Sequence, residues 1–199
     1  MTPATQTPIP PAHAMNGGAT ITAPRPSGQT VTAPPSSSDR PFVRYIWAAT
    51  RLCLGWTFLW PFMDKAFGLG HETASADAWF SGGNPTQGFL SHSAGPFSGI
   101  YQDIAGAGVV NVLFMGGLFG VGVALLLGIA MRPACIAGAT MLMLMWSASL
   151  PPENNLFMDD HIIYALVLIG LAAVGAGRTL GLGERWARTG VVRKHSWLA

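Results

Sequence analysis

Residues 109 to 131 read VVNVLFMGGLFGVGVALLLGIAM, an apolar run without a charged side chain. A helix of about 20 apolar residues is long enough to cross the hydrocarbon core of a bilayer. Three further apolar stretches lie at residues 43–64, 133–150 and 160–177. These runs lack the alternation of apolar and polar residues typical of barrel strands, and in lipid only helices or closed barrels satisfy the backbone. The sequence therefore predicts an all-α integral membrane protein with four transmembrane helices packed as a bundle.

The amino-acid composition favours the same class of protein. Of the 199 residues, 50% are hydrophobic and only 10% are charged, whereas about 25% of the residues in a soluble domain are charged. The formal net charge of +2 comes from basic side chains that gather at one predicted membrane surface. We therefore expect membrane lipid, and no nucleic acid, as a partner.

The charges are distributed unequally between the two sides of the predicted bundle. Nine of the 11 basic residues are expected on the side of the chain termini: Arg25, Arg40, Arg44, Arg132, Arg178, Arg185, Arg188, Arg193 and Lys194. Seven of the nine acidic residues are expected on the opposite side: Asp64, Glu72, Asp77, Asp103, Glu153, Asp159 and Asp160. Because the cytoplasmic loops of membrane proteins carry an excess of Lys and Arg, the sequence predicts a multi-pass cell-membrane protein with both termini cytoplasmic.

The chain divides into three predicted regions. Residues 1–40 hold eight of the 15 prolines and are predicted to form a disordered cytoplasmic tail, because they cannot bury enough apolar surface to offset the entropy of ordering. Residues 41–182 form the predicted bundle, and residues 183–199 a basic cytoplasmic tail. The long connection at residues 65–108 is predicted to be an ordered outer cap that contains an amphipathic helix through Phe97–Ile104. This cap either seals the bundle or covers a substrate.

Small residues mark one face of the second predicted transmembrane helix. Gly116, Gly120, Ala124 and Gly128 follow one another at intervals of four residues. Such a spacing predicts a smooth face that a neighbouring helix can approach closely. In the first helix, Pro61 removes a backbone donor and is expected to kink the outer end.

Arg51 lies inside the first predicted helix, where a charged side chain is costly unless it faces the bundle interior, a cavity or a lipid headgroup. At 100° per residue, it shares one stripe of the helix with Phe58, Phe62 and Lys65. No acidic residue lies in the cytoplasmic half of the other helices, which favours an acceptor outside the chain, such as a headgroup or a quinone carbonyl. Snorkelling to the surface is the alternative. Arg51, Phe58, Phe62 and Lys65 are therefore candidate quinone-binding residues.

A second group of polar residues precedes the fourth predicted helix, in PPENNLFMDDHIIYALVL at residues 151–168. Asp160 and Tyr164 are four positions apart on one helical face, and His161 follows Asp160. A carboxylate, an imidazole and a phenol at the membrane surface can exchange protons with a quinone, so Asp160, His161 and Tyr164 are candidate catalytic residues. Helix capping by Asp159 or Asp160 would also account for the acidic residues.

The positions of the histidines argue against a haem cofactor. The chain has five of them, and no two are predicted to face inward from two different helices. A membrane-embedded haem held by two histidines is therefore not expected. Metal ligation by His161 together with Asp159, Asp160 or Glu153 is compatible with the sequence, but their spacing is not that of a specific metal site, so none is predicted.

Four segments resemble the DoxX/DoxD family of small four-helix membrane proteins, with similarity from about residue 44 to residue 182. They are RLCLGWTFLWPFMDKAFGLG at 51–70, GGNPTQGFL at 82–90, GPFSGIYQ at 95–102 and LPPENNLFMDDHIIYALVL at 150–168. The resemblance implies redox chemistry at the membrane. Members of the family include the membrane subunit of thiosulfate:quinone oxidoreductase and partners of proteins that handle thiols and oxidative stress.

Two functions follow as expectations. The first is a membrane subunit of a quinone-linked oxidoreductase, acting in sulfur-compound oxidation or redox homeostasis, with quinone as its cofactor. The second is a non-enzymatic membrane scaffold that recruits redox proteins. Both require a second subunit or a soluble redox protein as a partner, and a homo-oligomer is compatible with either. A small transporter is disfavoured because the sequence has no evident inverted repeat or pair of broken helices.

Overall fold

The computed structural model describes residues 41–152 and 155–198, and all regular secondary structure among them is helical. The predicted all-α class is confirmed for this part of the chain. The predicted tail at residues 1–40 lies outside the described residues. Eight α-helices follow one another in the described residues: α1 (Pro41–Phe67), α2 (Gln87–Ser91), α3 (Ser98–Asp103), α4 (Gly108–Leu127), α5 (Met131–Ala148), α6 (Asp160–Ala173), α7 (Gly183–Ala187) and α8 (Gly190–Lys194).

The four long helices, α1, α4, α5 and α6, form a bundle of antiparallel neighbours. Helix α1 packs against α4, α4 packs against α5, and α5 packs against α6. The turn between α4 and α5 contains only residues 128–130, so these two helices must run in opposite directions. The core is apolar and draws on all four helices: Leu54, Phe58, Ala66, Met115, Leu118, Val121, Leu125, Met131, Cys135, Leu142, Ala165, Leu168 and Leu171.

The two ends of the bundle differ in charge. Helices α1 and α5 begin at an end that carries Arg44 and Arg132, which we call the basic end. Helix α1 finishes and α6 begins at an end that carries Asp64, Asp159 and Asp160, which we call the acidic end. The predicted segregation of charge is therefore present in the described bundle.

Glycines decide where two of the helices stop. Helix α4 ends at Leu127 because Gly128 adopts a left-handed conformation with φ of 70°, so the predicted extension to residue 131 is wrong. Helix α6 ends at Ala173, whereas the sequence predicted residue 177; Gly175 just beyond it has φ of 63°. These are αL terminations typical of glycine. Helix α1, in contrast, continues past Pro61 to Phe67.

Among the described helices, α4 alone is both long and apolar enough to cross a membrane. Helix α6 is also apolar, but it contains only 14 residues. Helix α1 has 27 residues, and its charged side chains at Arg44, Arg51, Asp64 and Lys65 lower its mean hydropathy. Length and composition therefore identify one candidate span in the described residues, where the sequence predicted four.

The close approach between α1 and α4 is made at a different glycine from those that the sequence singled out. A Cβ atom on Gly122 would lie 2.9 Å from the backbone nitrogen of Leu59, so only glycine permits this crossing. Gly116 and Gly120, in contrast, would place a Cβ atom in open space. The stripe through Gly116 and Gly120 thus meets no other helix in the part of the chain that the structure describes.

The connection between α1 and α4, residues 68–107, forms a cap at the acidic end. It contains α2, α3 and two short 3-10 turns at Ser75–Asp77 and Trp79–Ser81. Helix α3 coincides with the predicted amphipathic segment. Its Tyr101 is half-buried and its hydroxyl donates to the carbonyl of Leu144 on α5, at 3.2 Å, which fastens α3 to the bundle.

The predicted basic tail is folded in its described part. Helices α7 and α8 and a final 3-10 turn, Ser196–Leu198, follow one another. The indole of Trp186 donates to the carbonyl of Leu198 at 2.8 Å, and Val192 is buried. The final turn packs against α5. This segment therefore belongs to the basic end of the bundle.

Candidate functional site

A large cavity of about 1160 Å³ lies between α4, α5 and the cap. Helices α4 and α5 are tied together by the short turn at the basic end, and they pack less extensively on each other than on their other neighbours. Space therefore opens between them toward the acidic end, where the cap covers it. A cavity of this size is slightly above the range of about 300–1,000 Å³ that is typical of small-molecule sites.

The walls of the cavity are mostly apolar and come from α4 and α5. They comprise Val110, Leu113, Phe114, Gly117, Ala137, Thr140, Met141, Leu144, Met145 and Ala148. From Ala137 to Ala148 the cavity follows α5 for roughly 16 Å, at 1.5 Å per residue. Leu113 and Leu144 are also exposed at the outer surface, so this slot is open along the side of the bundle.

The mouth of the cavity at the acidic end is polar. Its lining there includes Lys65 at the end of α1 and cap residues with hydroxyl, amide or carboxylate groups: Glu72, Thr73, Asp77, Asn84, Thr86 and Gln87. The ammonium of Lys65 lies 3.3 Å from the carboxylate of Glu72. The cavity thus offers hydrogen-bonding groups at one end and a long apolar slot at the other.

Asn111 anchors the cap to α4. Its side-chain oxygen accepts hydrogen bonds from the backbone nitrogen and the hydroxyl of Thr86, at 3.1 and 2.7 Å. Its side-chain nitrogen donates to Asn84 Oδ1 at 3.1 Å and to the Gly106 carbonyl at 3.3 Å. Because Asn111 and Thr86 are both buried, these bonds fix the residues that form the mouth. The sequence reasoning missed Asn111, although it is the one amide in the apolar run at residues 109–131.

Asp64 anchors the start of the cap to α1. Its carboxylate oxygens accept hydrogen bonds from the backbone nitrogens of His71, at 3.1 Å, and Glu72, at 3.0 Å. Asp64 is buried, so the carboxylate is held by these amides. The bond to Glu72 also places that residue where its side chain reaches Lys65. The rim of the cavity is therefore positioned from α1 and from α4.

Arg51 is fully buried, and its acceptors come from the chain itself. Its guanidinium donates to the carbonyls of Leu125 and Leu126 at the end of α4, the latter at 2.9 Å. It also donates to the carbonyls of Thr179 and Leu180, at 3.3 and 2.8 Å. The last carbonyls of a helix have no intrahelical donor and carry negative partial charge, so Arg51 caps α4. The sequence indicated an external acceptor because backbone carbonyls leave no signal in a residue pattern.

The other predicted quinone-binding residues have separate surroundings. Phe58 belongs to the buried core. Phe62 packs on Phe119 of α4, with 5.0 Å between the ring centroids. Of the four residues predicted on this stripe, Lys65 is the one that lines the large cavity. The structure therefore does not bring the whole stripe to one site.

The predicted proton-exchanging residues lie at the start of α6. The Nδ1 atom of His161 lies 2.7 Å from Asp159 Oδ2 and 3.5 Å from Asp160 Oδ1. Asp159 also accepts a hydrogen bond from the backbone nitrogen of Ile162 at 3.3 Å, which confirms helix capping by this residue. Tyr164 is partly buried against the core. The closest carboxylate to His161 is thus Asp159, whereas the predicted catalytic set contained Asp160.

Asp159, Asp160 and His161 are also the described residues whose ligand atoms a cation would fit best. Their nearest nitrogen and oxygen atoms all lie within 4.8 Å of one another. Asp160 is exposed to solvent, whereas the other two side chains are half-buried. The group lies at the acidic end, but its residues do not line the large cavity.

Comparison with known proteins gives no independent assignment. No family model, no curated protein and no solved structure matches the chain. The similarity to the DoxX/DoxD family therefore stays a prediction. The cavity between α4, α5 and the cap is the feature from which a function can be argued.

Proposed function

We propose that the chain is a multi-pass membrane protein of the DoxX/DoxD type, and that it is the membrane subunit of a quinone-linked oxidoreductase. The observation that carries this proposal is the large cavity, with its apolar slot between α4 and α5 and its polar mouth. A quinone has a polar ring and an apolar isoprenoid tail, so its two parts match the two parts of this cavity. Its role would lie in sulfur-compound oxidation or redox homeostasis.

The outer surface of the bundle supports placement of all four long helices in lipid. Large apolar side chains are exposed on α4, α5 and α6, among them Val109, Leu113, Ile136, Leu166 and Ile169. Exposure of so many large apolar side chains is unfavourable in water and favourable in a bilayer. At 1.5 Å per residue, α1 is about 40 Å long and α5 about 27 Å, against a hydrocarbon core of about 30 Å.

The environment of Arg51 removes an objection to placing α1 in lipid. A charged side chain in a membrane helix is costly when it faces hydrocarbon. Arg51 instead has no exposed surface and is bonded to four backbone carbonyls. Helix α1 therefore does not present this charge to lipid. With the four long helices placed across the bilayer, the positive-inside rule puts the basic end at the cytoplasmic surface.

In the proposed complex, the quinone ring occupies the mouth and the tail lies in the slot. The ring carbonyls are acceptors, for which Lys65 and the amide of Gln87 are donors on the cavity wall. Reduction of a quinone takes up protons as well as electrons, and Glu72 and Asp77 stand at the mouth to exchange them. His161, held by Asp159 and near Asp160, is a second proton-exchanging group at the same end of the bundle.

Quinone analysis of the purified protein tests this proposal. We expect the protein extracted in mild detergent to retain quinone at close to one molecule per chain. Ala137→Phe, which places a ring in the slot, is expected to release most of it. Ile136→Phe is the matched control, because Ile136 is on the same helix but points outward. Absence of quinone from the wild-type protein, or equal retention by both variants, would contradict the proposal.

The folded basic segment favours the second candidate function, a scaffold for soluble redox proteins. Four basic residues of α7, α8 and the link between them are exposed and form a basic surface at the basic end: Arg185, Arg188, Arg193 and Lys194. A scaffold would bring down a stoichiometric partner from membranes, and Arg193→Ala with Lys194→Ala would release that partner. Retained quinone without a partner, in contrast, would favour the oxidoreductase subunit.

A further inference from the structure

A second, smaller pocket of about 260 Å³ lies at the basic end, between the start of α1 and the segment that follows α6. It is separate from the large cavity and shares no lining residue with it. Most of its lining surface is polar, and the residues that form it are Arg44, Trp47, Val174, Gly175, Ala176, Arg178, Thr179 and Glu184.

Two arginines line this pocket, and a third, buried arginine outside the lining contacts the same short stretch of chain. The Nε atom of Arg44 donates to the hydroxyl of Thr179 at 3.3 Å. The buried guanidinium of Arg51, which does not line the pocket, donates to the carbonyls of Thr179 and Leu180. Arg178 lines the same pocket from the adjacent position. Thr179 thus contacts Arg44 through its hydroxyl and Arg51 through its carbonyl, and Arg178 precedes it in the chain.

These positive charges have no carboxylate counter-ion among the residues that the structure describes. Among residues 41–152 and 155–198, none of the three arginines forms an ion pair with a carboxylate. On the described wall of the pocket, Arg44 and Arg178 carry positive charge and Glu184 carries negative charge. The buried guanidinium of Arg51 adds a third positive charge next to the wall residue Thr179. Because Arg51 is buried, water does not screen its charge well. The local potential therefore favours an anion in the pocket.

We propose that this pocket binds a phosphate group, carried by an anionic phospholipid of the cytoplasmic leaflet. Arginine presents a planar fork of donors that matches phosphate oxygens. Trp47 lies on the pocket wall, and tryptophan is enriched at the depth of lipid headgroups. The pocket is large enough for a phosphate and part of its glycerol, and Val174 on its rim is exposed, so acyl chains can leave along the side of α6.

Free phosphate has the same chemistry as the headgroup, and the experiment separates the two sources. The lipid source depends on the membrane placement proposed above, but neither source depends on a bound quinone. The full chain in detergent is titrated with dioleoylphosphatidylglycerol and, separately, with inorganic phosphate, and adducts are counted by native mass spectrometry. Arg44→Ala with Arg178→Ala is the test variant. Arg188→Ala, an exposed arginine of the basic end outside the pocket, is the control.

We expect the double variant to bind the lipid about tenfold more weakly or worse, since it loses charge-assisted contacts, while the control stays within about twofold. Lipid binding that inorganic phosphate does not displace assigns the pocket to the headgroup. Displacement by phosphate, with the same loss in the double variant, assigns it to the free anion. Equal binding by wild type and double variant, or an equal loss in the control, would overturn the proposal.

A second variant keeps the proposal testable if the double variant does not fold. Glu184→Gln removes a carboxylate from the pocket wall, and with it a repulsion toward a bound phosphate. We expect it to strengthen lipid or phosphate binding by a few-fold. Unchanged or weaker binding would mean that the anion does not occupy this pocket.

Discussion

Replacing Arg51 with methionine removes the guanidinium that holds the end of α4 to the segment after α6. Methionine fills much of the space of the arginine stem, so the main loss is four hydrogen bonds to backbone carbonyls. Hydrogen bonds between membrane helices contribute about 0.6 kcal/mol each on average, and bonds to charged groups in water about 1.5–3 kcal/mol. Four bonds, which are not fully additive, therefore give an expected loss of about 2–5 kcal/mol.

Arg51→Lys separates the charge from the geometry. A lysine keeps the positive charge, but its single ammonium cannot span the carbonyls of Leu125 and Leu180 in the way that a guanidinium fork does. We expect about half of the destabilisation of the methionine variant. Leu52→Met, at the neighbouring half-buried position, is the control and is expected to change the free energy of unfolding by less than about 1 kcal/mol.

Unfolding in mixed detergent micelles, followed by circular dichroism, measures the free energies of unfolding for these variants. The same preparations are tested for retained quinone. A methionine variant that is as stable as the wild type would refute the role of Arg51 as a helix cap. Loss of quinone with unchanged stability would show that Arg51 contacts the ligand directly, as the sequence alone suggested.

Three further variants and one control variant test the anchors of the bundle. Asn111→Leu leaves the buried polar groups of Thr86 without a hydrogen-bond partner, so we expect the cap to become sensitive to proteolysis. An unchanged digestion pattern would contradict this expectation. Asp159→Ala removes the N-cap of α6 and should lower the free energy of unfolding by about 1 kcal/mol; no loss in denaturant unfolding would count against the cap. Gly122→Val should lower the free energy of unfolding by about 1–3 kcal/mol through overpacking, whereas the control Gly116→Val should leave it unchanged. Equal shifts of the melting temperature in the two variants would contradict the close crossing of α1 and α4 at Gly122.

The long helices could be predicted from the sequence because each follows from a local pattern. An apolar run of suitable length identified α1, α4, α5 and α6, and the spacing of Phe97–Ile104 identified α3. The boundaries were less accurate. The sequence did not show that Gly128 and Gly175 adopt left-handed conformations, since glycine is compatible with both helix and turn until its neighbours in space are known.

The candidate site could be predicted only in part because it depends on contacts between distant segments. The cavity exists because α4 and α5 separate below the cap, which no periodicity in either helix reveals. The partners of Arg51 are carbonyls more than 70 positions away along the chain, and every residue has a carbonyl. Asn111, in contrast, left a signal, because a buried amide in an apolar run requires partners.

Photo-crosslinking with an azido-quinone, followed by peptide mapping, tests most directly whether the cavity between α4, α5 and the cap binds a quinone. We predict that the label is attached to residues of the slot, such as Leu113, Met141 and Leu144, and that unlabelled quinone prevents the reaction. A label on the α1 stripe at Phe58 or Phe62, or labelling that excess quinone does not reduce, would contradict the assignment.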